Sequence, residues 1–93
     1  MIVDYHDKRT RQFADGEHIP AFSGFRRSAE KALDRLEAAA GLADLRTPGL
    51  RLEKLHGDRA GQWSVRINDQ WRVCFLWPEG SPGPTRVEIT DYH

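Results

Sequence analysis

Two spacings of hydrophobic residues divide the 93-residue chain into a first part with helical periodicity and a second part with strand periodicity. Between residues 22 and 40, apolar side chains recur at steps of three and four, which places them on one face of a helix. These are Phe22, Phe25, Ala29, Leu33, Leu36 and Ala40. Ser23 is a suitable N-cap for this helix and Gly41 a suitable end. The pattern predicts an amphipathic helix that covers a sheet.

The second part of the chain alternates apolar and polar residues, which is the pattern of half-buried strands. The segments "LRLEKL", "QWSVRI", "QWRVCFLW" and "TRVEITDYH" each follow it. An Asn-Asp pair at 68–69 accepts the positive φ of a tight turn, so the second and third segments are predicted to form a hairpin. In their alternation Val65 and Val73 fall on apolar faces, and Arg66 and Arg72 fall on the opposite ones.

The N-terminal "MIVDY" is predicted to form a first strand, and "DKRTRQFADG" a short charged helix that ends at Gly16. Helices followed by strands indicate an α+β fold: a small antiparallel sheet with two N-terminal helices packed on one face. The length fits a single domain over residues 1–93. The opposite face of the sheet, with Arg66 and Arg72, is expected to stay at least partly open, with room for a ligand.

Composition and charge indicate which partners and which cellular compartment to expect for the protein. The chain has 14 basic and 14 acidic residues, so no global charge attracts it to nucleic acid. Residues 46–72 hold six basic and three acidic side chains, an excess that marks either a solvated surface or a binding surface. A single cysteine, Cys74, suits a reducing compartment. A charged N-terminus and the lack of a long apolar run predict a cytoplasmic protein without membrane contact.

A long ordered run, "RLEKLHGDRAGQWSVRINDQWRVCFLW", followed by "VEITDYH", resembles the HigB branch of the RelE/ParE toxin superfamily. The resemblance is dense over residues 50–93 and looser before them. It implies a RelE-like fold and a type II toxin that acts, without metal or other cofactor, as an endoribonuclease. Such toxins enter the ribosomal A site and cut messenger RNA there. The implied partner is a HigA-like helix-turn-helix antitoxin, through which alone the toxin would approach DNA.

The resemblance assigns catalytic roles to the final tripeptide Asp91, Tyr92 and His93. Cleavage of RNA without a metal requires activation of the 2′-hydroxyl, stabilisation of the charged transition state and protonation of the leaving 5′-oxygen. Histidine suits either proton transfer, because its ordinary pKa of about 6.5 lies near working pH. The alternative is an inert, frayed tail. In a regular strand Tyr92 and His93 point to opposite faces, so the strand is expected to bend or end near Thr90.

The resemblance also gives Arg72 the role of clamping the scissile phosphate, for which a guanidinium fork is suited; a surface ion pair is the alternative. The resemblance further implies that four basic residues contact the RNA backbone: Arg51, Lys54, Arg59 and, if the hairpin register permits, Arg66. Such contacts position the RNA but do not read its sequence. Some family members carry a histidine at Glu53 and a lysine at His56. His56 is thus either a second acid/base group or an ordinary loop histidine.

Three functions remain open at this stage: the ribosome-dependent nuclease, a ParE-like toxin that binds DNA gyrase without catalysis, and a degenerate toxin retained as antitoxin partner and co-repressor. The same scaffold serves all three. Four scattered histidines and one cysteine give no recognisable zinc spacing. The triplet Asp4-Tyr5-His6 repeats the final one outside the matched run, and is interpreted as coincidence, with Tyr5 packing rather than reacting.

Overall fold

A computed structural model describes residues 1–92 of the chain. Within these residues the chain forms helices α1 (Lys8–Ala14) and α2 (Arg26–Ala38), followed by strands β1 (Glu53–Lys54), β2 (Trp63–Arg66), β3 (Arg72–Leu76) and β4 (Thr85–Thr90). The strands lie in chain order and each neighbouring pair is antiparallel. The predicted α+β class is confirmed.

Helix α2 packs against the sheet much as its periodicity predicts, although its ends differ from the prediction. Its buried residues are Ala29, Ala32, Leu33 and Leu36. The helix ends at Ala38, so Ala39 rather than Ala40 is buried. Ser23 is not the N-cap: it lies in a 3₁₀ turn, Pro20–Phe25, where its hydroxyl donates to the carbonyl of Pro20 at 2.9 Å. Pro20 is tolerated at the start of that turn because the N–H that it lacks would have no partner within the turn.

The β2–β3 hairpin has the predicted faces, but its turn differs from the prediction: five residues connect the strands, and neither Asn68 nor Asp69 has a positive φ. Asn68 stabilises the turn because its side-chain oxygen accepts hydrogen bonds from the backbone nitrogens of Gln70 and Trp71 at 2.9 and 2.7 Å. The resulting register places Val65 opposite Val73, with both fully buried beneath the helices. It places Ser64 opposite Cys74 on the other side of the sheet.

Two of the predicted strands are wrong or too long. "MIVDY" is not a strand: Tyr5 alone forms an isolated parallel bridge, with Val87 of β4. Nearby, the amide of Val3 donates to the carbonyl of Pro84 at 2.9 Å, too few bonds for a ladder. The segment "LRLEKL" contributes only Glu53–Lys54 to the sheet. In both segments β-propensity is present, but few backbone partners are, and propensity alone does not make a strand.

The outer edge of β4 is covered by the N-terminal part of the chain. Thr10 of α1 is fully buried, and its hydroxyl accepts a hydrogen bond from the amide of Ile89 at 3.1 Å. This contact satisfies a strand amide that would otherwise be exposed at a sheet edge. None of the helices within residues 1–92 is both long and apolar enough to cross a membrane.

Candidate active site

The side of the sheet that faces away from the helices is less open than the sequence predicts. Ser64 and Cys74, which face each other across β2 and β3, have no exposed surface. Arg59 and Tyr92 contact each other over this side, with the guanidinium carbon 5.3 Å from the centre of the tyrosine ring. The expectation of an open arginine-bearing face is therefore wrong for the middle of the sheet, because Arg59 of the 55–62 loop and Tyr92 cover it.

Arg72 is held at this surface by its own side-chain bonds. Its Nε donates to the hydroxyl of Ser64 at 2.7 Å, and its Nη2 donates to the carbonyl of Arg51 at 2.6 Å. A longer ion pair of 3.9 Å joins it to Glu53. The side chain is only 16% exposed. Among residues 1–92 its Nη1 has no hydrogen-bond partner, so this nitrogen is free to donate to an anion.

Arg51 presents its carbonyl to Arg72 through an unusual backbone conformation. Its φ is +46°, in the left-handed region that non-glycine residues seldom adopt. The residue follows the buried Leu50, whose own carbonyl accepts a hydrogen bond from the amide of Arg66 at 2.7 Å. The carbonyl of Leu50 thus binds β2, and the carbonyl of the next residue, the left-handed Arg51, binds the guanidinium of Arg72 on β3.

Tyr92 lies beside Arg72 through a shared partner. Its hydroxyl is 3.2 Å from the hydroxyl of Ser64, the same oxygen that accepts from Arg72. Arg59, which lies over the ring, is itself held by hydrogen bonds of 3.1 Å to both Gln62 and Glu88. The phenol is therefore fixed between a buried serine and a guanidinium.

His56 and Tyr92 line a common pocket of about 300 Å³, together with Leu55, Asp58 and Arg59. His56 is exposed and immediately precedes the 3₁₀ turn Gly57–Arg59. The structure therefore brings His56 to the tyrosine, as required if the histidine takes part in proton transfer. Glu53, at the position where some family members carry histidine, contacts Arg72 instead.

The end of the last strand agrees with expectation, since β4 ends at Thr90. Asp91 follows and accepts a hydrogen bond from the side-chain amide of Gln70 at 2.7 Å. Gln70 belongs to the β2–β3 turn, so this bond attaches the final segment to the hairpin. His93, the predicted acid/base group, lies outside the described residues.

The charged groups of two further predicted RNA contacts are bound to other partners. Lys54 pairs across the strands with Trp63, and its ammonium lies 6.0 Å from that ring, on the helix side of the sheet. Arg66 faces Arg72 across the hairpin, but its guanidinium is bound to Asp69. The hydrogen bond and the charge of Arg66 lower the pKa of the Asp69 carboxyl. Arg66 also lines a groove beside α2 with Lys31 and Arg35.

Ser64 is a site residue that the sequence prediction missed. The alternation of β2 placed it opposite the core, which is correct, but gave it no partner. Two signals were available: it is a small polar residue between Trp63 and Val65, and its strand position shares a side with Arg72. Recognising it also required the hairpin register and the path of Tyr92 across the sheet, and neither follows from the β2 sequence.

The charges and donors of the site suit a phosphate rather than a covalent intermediate on sulfur. Burial raises the pKa of the Cys74 thiol to about 11, so the thiol stays neutral and weakly nucleophilic near pH 7. Arg72 supplies guanidinium donors, and Tyr92 a hydroxyl, on one side of the sheet. Within residues 1–92, no three side chains of His, Cys, Asp or Glu are grouped so as to hold a metal ion.

Comparison with known proteins gives consistent matches. A family model described as the RelE-like toxin of type II toxin–antitoxin system HigB matches residues 3–93. Toxin HigB-1 of Vibrio cholerae serotype O1 is 36% identical over 83 residues, covering 86% of this chain and 87% of the Vibrio protein. Endoribonuclease HigB of Proteus vulgaris is 35% identical over 63 residues, covering 64% of this chain and 66% of that protein.

Proposed function

The chain belongs to the HigB-like toxins of type II toxin–antitoxin systems, and we propose that it is a metal-independent endoribonuclease that cuts messenger RNA on the ribosome and so blocks translation. A relative named Endoribonuclease HigB supports the reaction class. One observation in the structure carries the proposal furthest: Arg72 and Tyr92 meet at the same buried serine hydroxyl. This shared partner supports a site in which a cationic donor and a phenol bind the same phosphate.

Arg72 is proposed to bind the scissile phosphate. Its Nε and Nη2 are held by the protein, which fixes the plane of the guanidinium before substrate arrives. Its Nη1 then points a donor at the oxygens on which negative charge develops. Because the geometry is preset, little reorganisation is needed at the moment of reaction. The ion pair with Glu53 is long, at 3.9 Å, and competes only weakly for the same charge.

Proton transfer is proposed to fall to histidine and tyrosine. His93 is the leading acid/base group by its place in the family's terminal motif, and His56 is the second candidate because it shares a pocket with Tyr92. One group would accept the proton of the 2′-hydroxyl and another would protonate the leaving 5′-oxygen. Asp91 is proposed to position the end of the chain through its bond with Gln70.

The proposed contacts to the RNA backbone fall into two groups. Arg51 and Arg59 adjoin Arg72 and Tyr92 and are retained as neighbours of the cleavage site. Most of the charge of Arg59 is already balanced by Glu88, so its larger contribution is to hold the tyrosine ring. Lys54 lies on the helix side of the sheet, and the guanidinium of Arg66, although its residue pairs with Arg72, is bound to Asp69, so neither is proposed to contact the scissile phosphate.

A type II toxin works with an antitoxin, and this chain therefore has one as a partner. We propose that the antitoxin is a HigA-like helix-turn-helix protein. The other partner is proposed to be the ribosome, with messenger RNA in its A site. A preformed complex of ribosome and message lowers the need for affinity to free RNA, which agrees with the balanced net charge of the chain.

Inducible expression of the wild type, Arg72→Ala and His93→Ala tests the proposal, with RNA 5′ ends mapped on translated and untranslated copies of one message. We expect new ends within codons of the translated copy, and about a hundredfold fewer with either variant. Circular dichroism of the purified variants shows whether they fold. Growth arrest without new ends would overturn the nuclease and point to a gyrase-directed toxin. Equal cleavage of the untranslated copy would overturn the dependence on the ribosome.

A further inference from the structure

Ser64 connects three separate parts of the fold through one oxygen. It lies in β2, Arg72 lies in β3, and Tyr92 follows β4. The strand order is β1-β2-β3-β4, so β2 and β4 are not neighbours. The tyrosine side chain must therefore cross β3 to reach the serine hydroxyl at 3.2 Å. The backbone of β2 does not pair with that of β4 or Tyr92, so the contact between the two hydroxyls is what joins these parts of the chain.

Chemistry fixes the direction of the bond between Arg72 and Ser64, whereas either hydroxyl can donate in the contact between Ser64 and Tyr92. The Nε–H of an arginine can only donate, so the Ser64 oxygen accepts from Arg72 at 2.7 Å. The single proton of the serine hydroxyl then remains for another acceptor, and the Tyr92 oxygen lies within reach. When the serine donates to it, the proton of Tyr92 is left to point at a ligand. In this arrangement one buried hydroxyl fixes the orientation of both the Arg72 guanidinium and the Tyr92 phenol.

The position of Ser64 makes this connection rigid. The residue has no exposed surface and lies in the middle of a strand, with Cys74 directly opposite. A buried hydroxyl without partners is unfavourable, and this one is satisfied by the two groups that face the proposed phosphate site. A small shift of either group would change the distance between guanidinium and phenol, and misplacement by about 1 Å can reduce a reaction rate a hundredfold.

We propose that Ser64 is a positioning residue: its buried hydroxyl sets the separation of the Arg72 guanidinium and the Tyr92 phenol so that both bind one RNA phosphate. The inference rests on the proposed nuclease function and deepens it. Ser64 itself does not touch the substrate, so its removal should slow the cleavage step while the toxin still binds its ribosomal target.

Single-turnover cleavage tests this inference, with 70S ribosomes that hold a 5′-labelled message in the A site. We expect Ser64→Ala to lower the rate at saturating toxin about ten- to a hundredfold. The toxin concentration for half-maximal rate should stay within about twofold of the wild type, because positioning acts on the transition state rather than on binding. An unchanged saturating rate in Ser64→Ala, with the wild type active, would overturn the inference and leave the nuclease intact.

Cys74→Ala is the matched control, since Cys74 is the cross-strand partner of Ser64 and equally buried. It removes one heavy atom from the same side of the sheet and leaves the bonds of Ser64 in place. Its rate should stay within about twofold of the wild type once thermal unfolding has established the folded fraction. A loss equal to that of Ser64→Ala would show that the effect is one of packing, and would also overturn the inference.

A double-mutant cycle with Tyr92→Phe separates positioning from general destabilisation. When the phenolic oxygen is absent, Ser64→Ala should lower the rate clearly less than it does in the wild type. Ser64→Thr, which keeps the hydroxyl, should recover much of the rate. Independent effects in the cycle, together with no recovery by threonine, contradict the inference. A wild type that cuts no message on ribosomes would instead overturn the proposed function and, with it, the role of Ser64.

Discussion

The tripeptide Asp-Tyr-His occurs twice in this chain, at 4–6 and at 91–93, and the tyrosines of the two copies lie in different electrostatic surroundings. The front tyrosine, Tyr5, packs against the hydrophobic core, where burial and the carboxylates of Glu37 and Asp15 raise its pKa. The back tyrosine, Tyr92, lies under the guanidinium of Arg59 and binds Ser64. Two carboxylates lie near the hydroxyl of Tyr5 and disfavour a phosphate there, whereas a guanidinium, itself paired with Glu88, lies over the ring of Tyr92.

The front copy attaches the N-terminal segment to the sheet. The carboxylate of Asp4 accepts a hydrogen bond from the amide of Arg86 at 2.6 Å, and the Nδ1 of His6 lies 3.0 Å from the Arg86 guanidinium. Arg86 has a φ of +50°, so Asp4 binds a residue in a left-handed conformation. The comparison shows that the same side chains can stabilise the fold in one place and contribute to a candidate site in another, depending on the residues that contact them.

The histidines should separate the two copies most strongly. We expect His93→Ala to lower single-turnover cleavage on ribosomes about 10²- to 10⁴-fold, which is the usual contribution of a placed acid or base. His6→Ala should leave cleavage within about twofold of the wild type, because its contact is with Arg86 at the N-terminal segment. A substantial loss of cleavage in folded His6→Ala would break the comparison.

The tyrosines should show the reverse ranking in stability. Tyr5→Ala removes a half-buried ring from the edge of the core and should lower the free energy of unfolding by about 1–2 kcal/mol. Tyr92→Ala should lower it less while abolishing most cleavage. Urea unfolding followed by tryptophan fluorescence measures both variants, and Tyr5→Phe is the control that keeps the ring. A greater loss of stability in Tyr92→Ala would reverse the assignment.

Asp4 offers a smaller test of the front copy as an anchor. Asp4→Ala removes the acceptor for the Arg86 amide and should lower the free energy of unfolding by about 1 kcal/mol. Asp4→Asn keeps a side-chain oxygen and should lose about half as much. Chemical denaturation measures both, with cleavage per folded molecule unchanged. Equal stability of the alanine variant and the wild type would show that the bond contributes nothing.

The smallest expected effect is the share of the alkaline pH dependence that Tyr5 adds to that of the Cys74 thiol, whose pKa is also raised. Its pKa is raised in the folded protein, so the neutral phenol is favoured there. The contribution to stability is fully present below the ordinary value of 10.0 and is lost as pH rises above it, because the unfolded chain then loses the proton first. Urea unfolding between pH 8 and 10.5 should show a steeper alkaline decline in the wild type than in Tyr5→Phe; parallel curves would contradict this.

Local patterns predicted the elements that depend on local interactions. The periodicity of α2 and the turn residues around Asn68 gave the helix and the hairpin, together with the face of each strand residue. The predicted strand at "MIVDY" was wrong because its partner, Val87, lies some 80 residues away and meets it at only one bridge. A segment with high β-propensity can form a fully paired strand or can lie along the edge of a sheet with few backbone hydrogen bonds, and propensity does not distinguish the two.

The site was predictable as a set of residue types but not as an arrangement. The resemblance supplied Arg72 and Tyr92, and the structure brings them together. The same reasoning placed Lys54 with them, whereas strand register turns it toward Trp63. Ser64 was missed because its role depends on a tyrosine that crosses an intervening strand. Contacts between distant segments fix such details, and no spacing within one segment encodes them.

The left-handed backbone of Arg51 has a consequence for substitution at that position. Glycine adopts this conformation without steric penalty, so Arg51→Gly would relieve a strain of about 1 kcal/mol. The same change would remove a cation and make the 50–52 segment more flexible, so the carbonyl that receives Arg72 would be less firmly placed. Glycine also has more freedom in the unfolded chain, which offsets most of this relief, so the substitution should change stability little. Arg51 therefore holds the carbonyl that receives Arg72 at little net cost in stability.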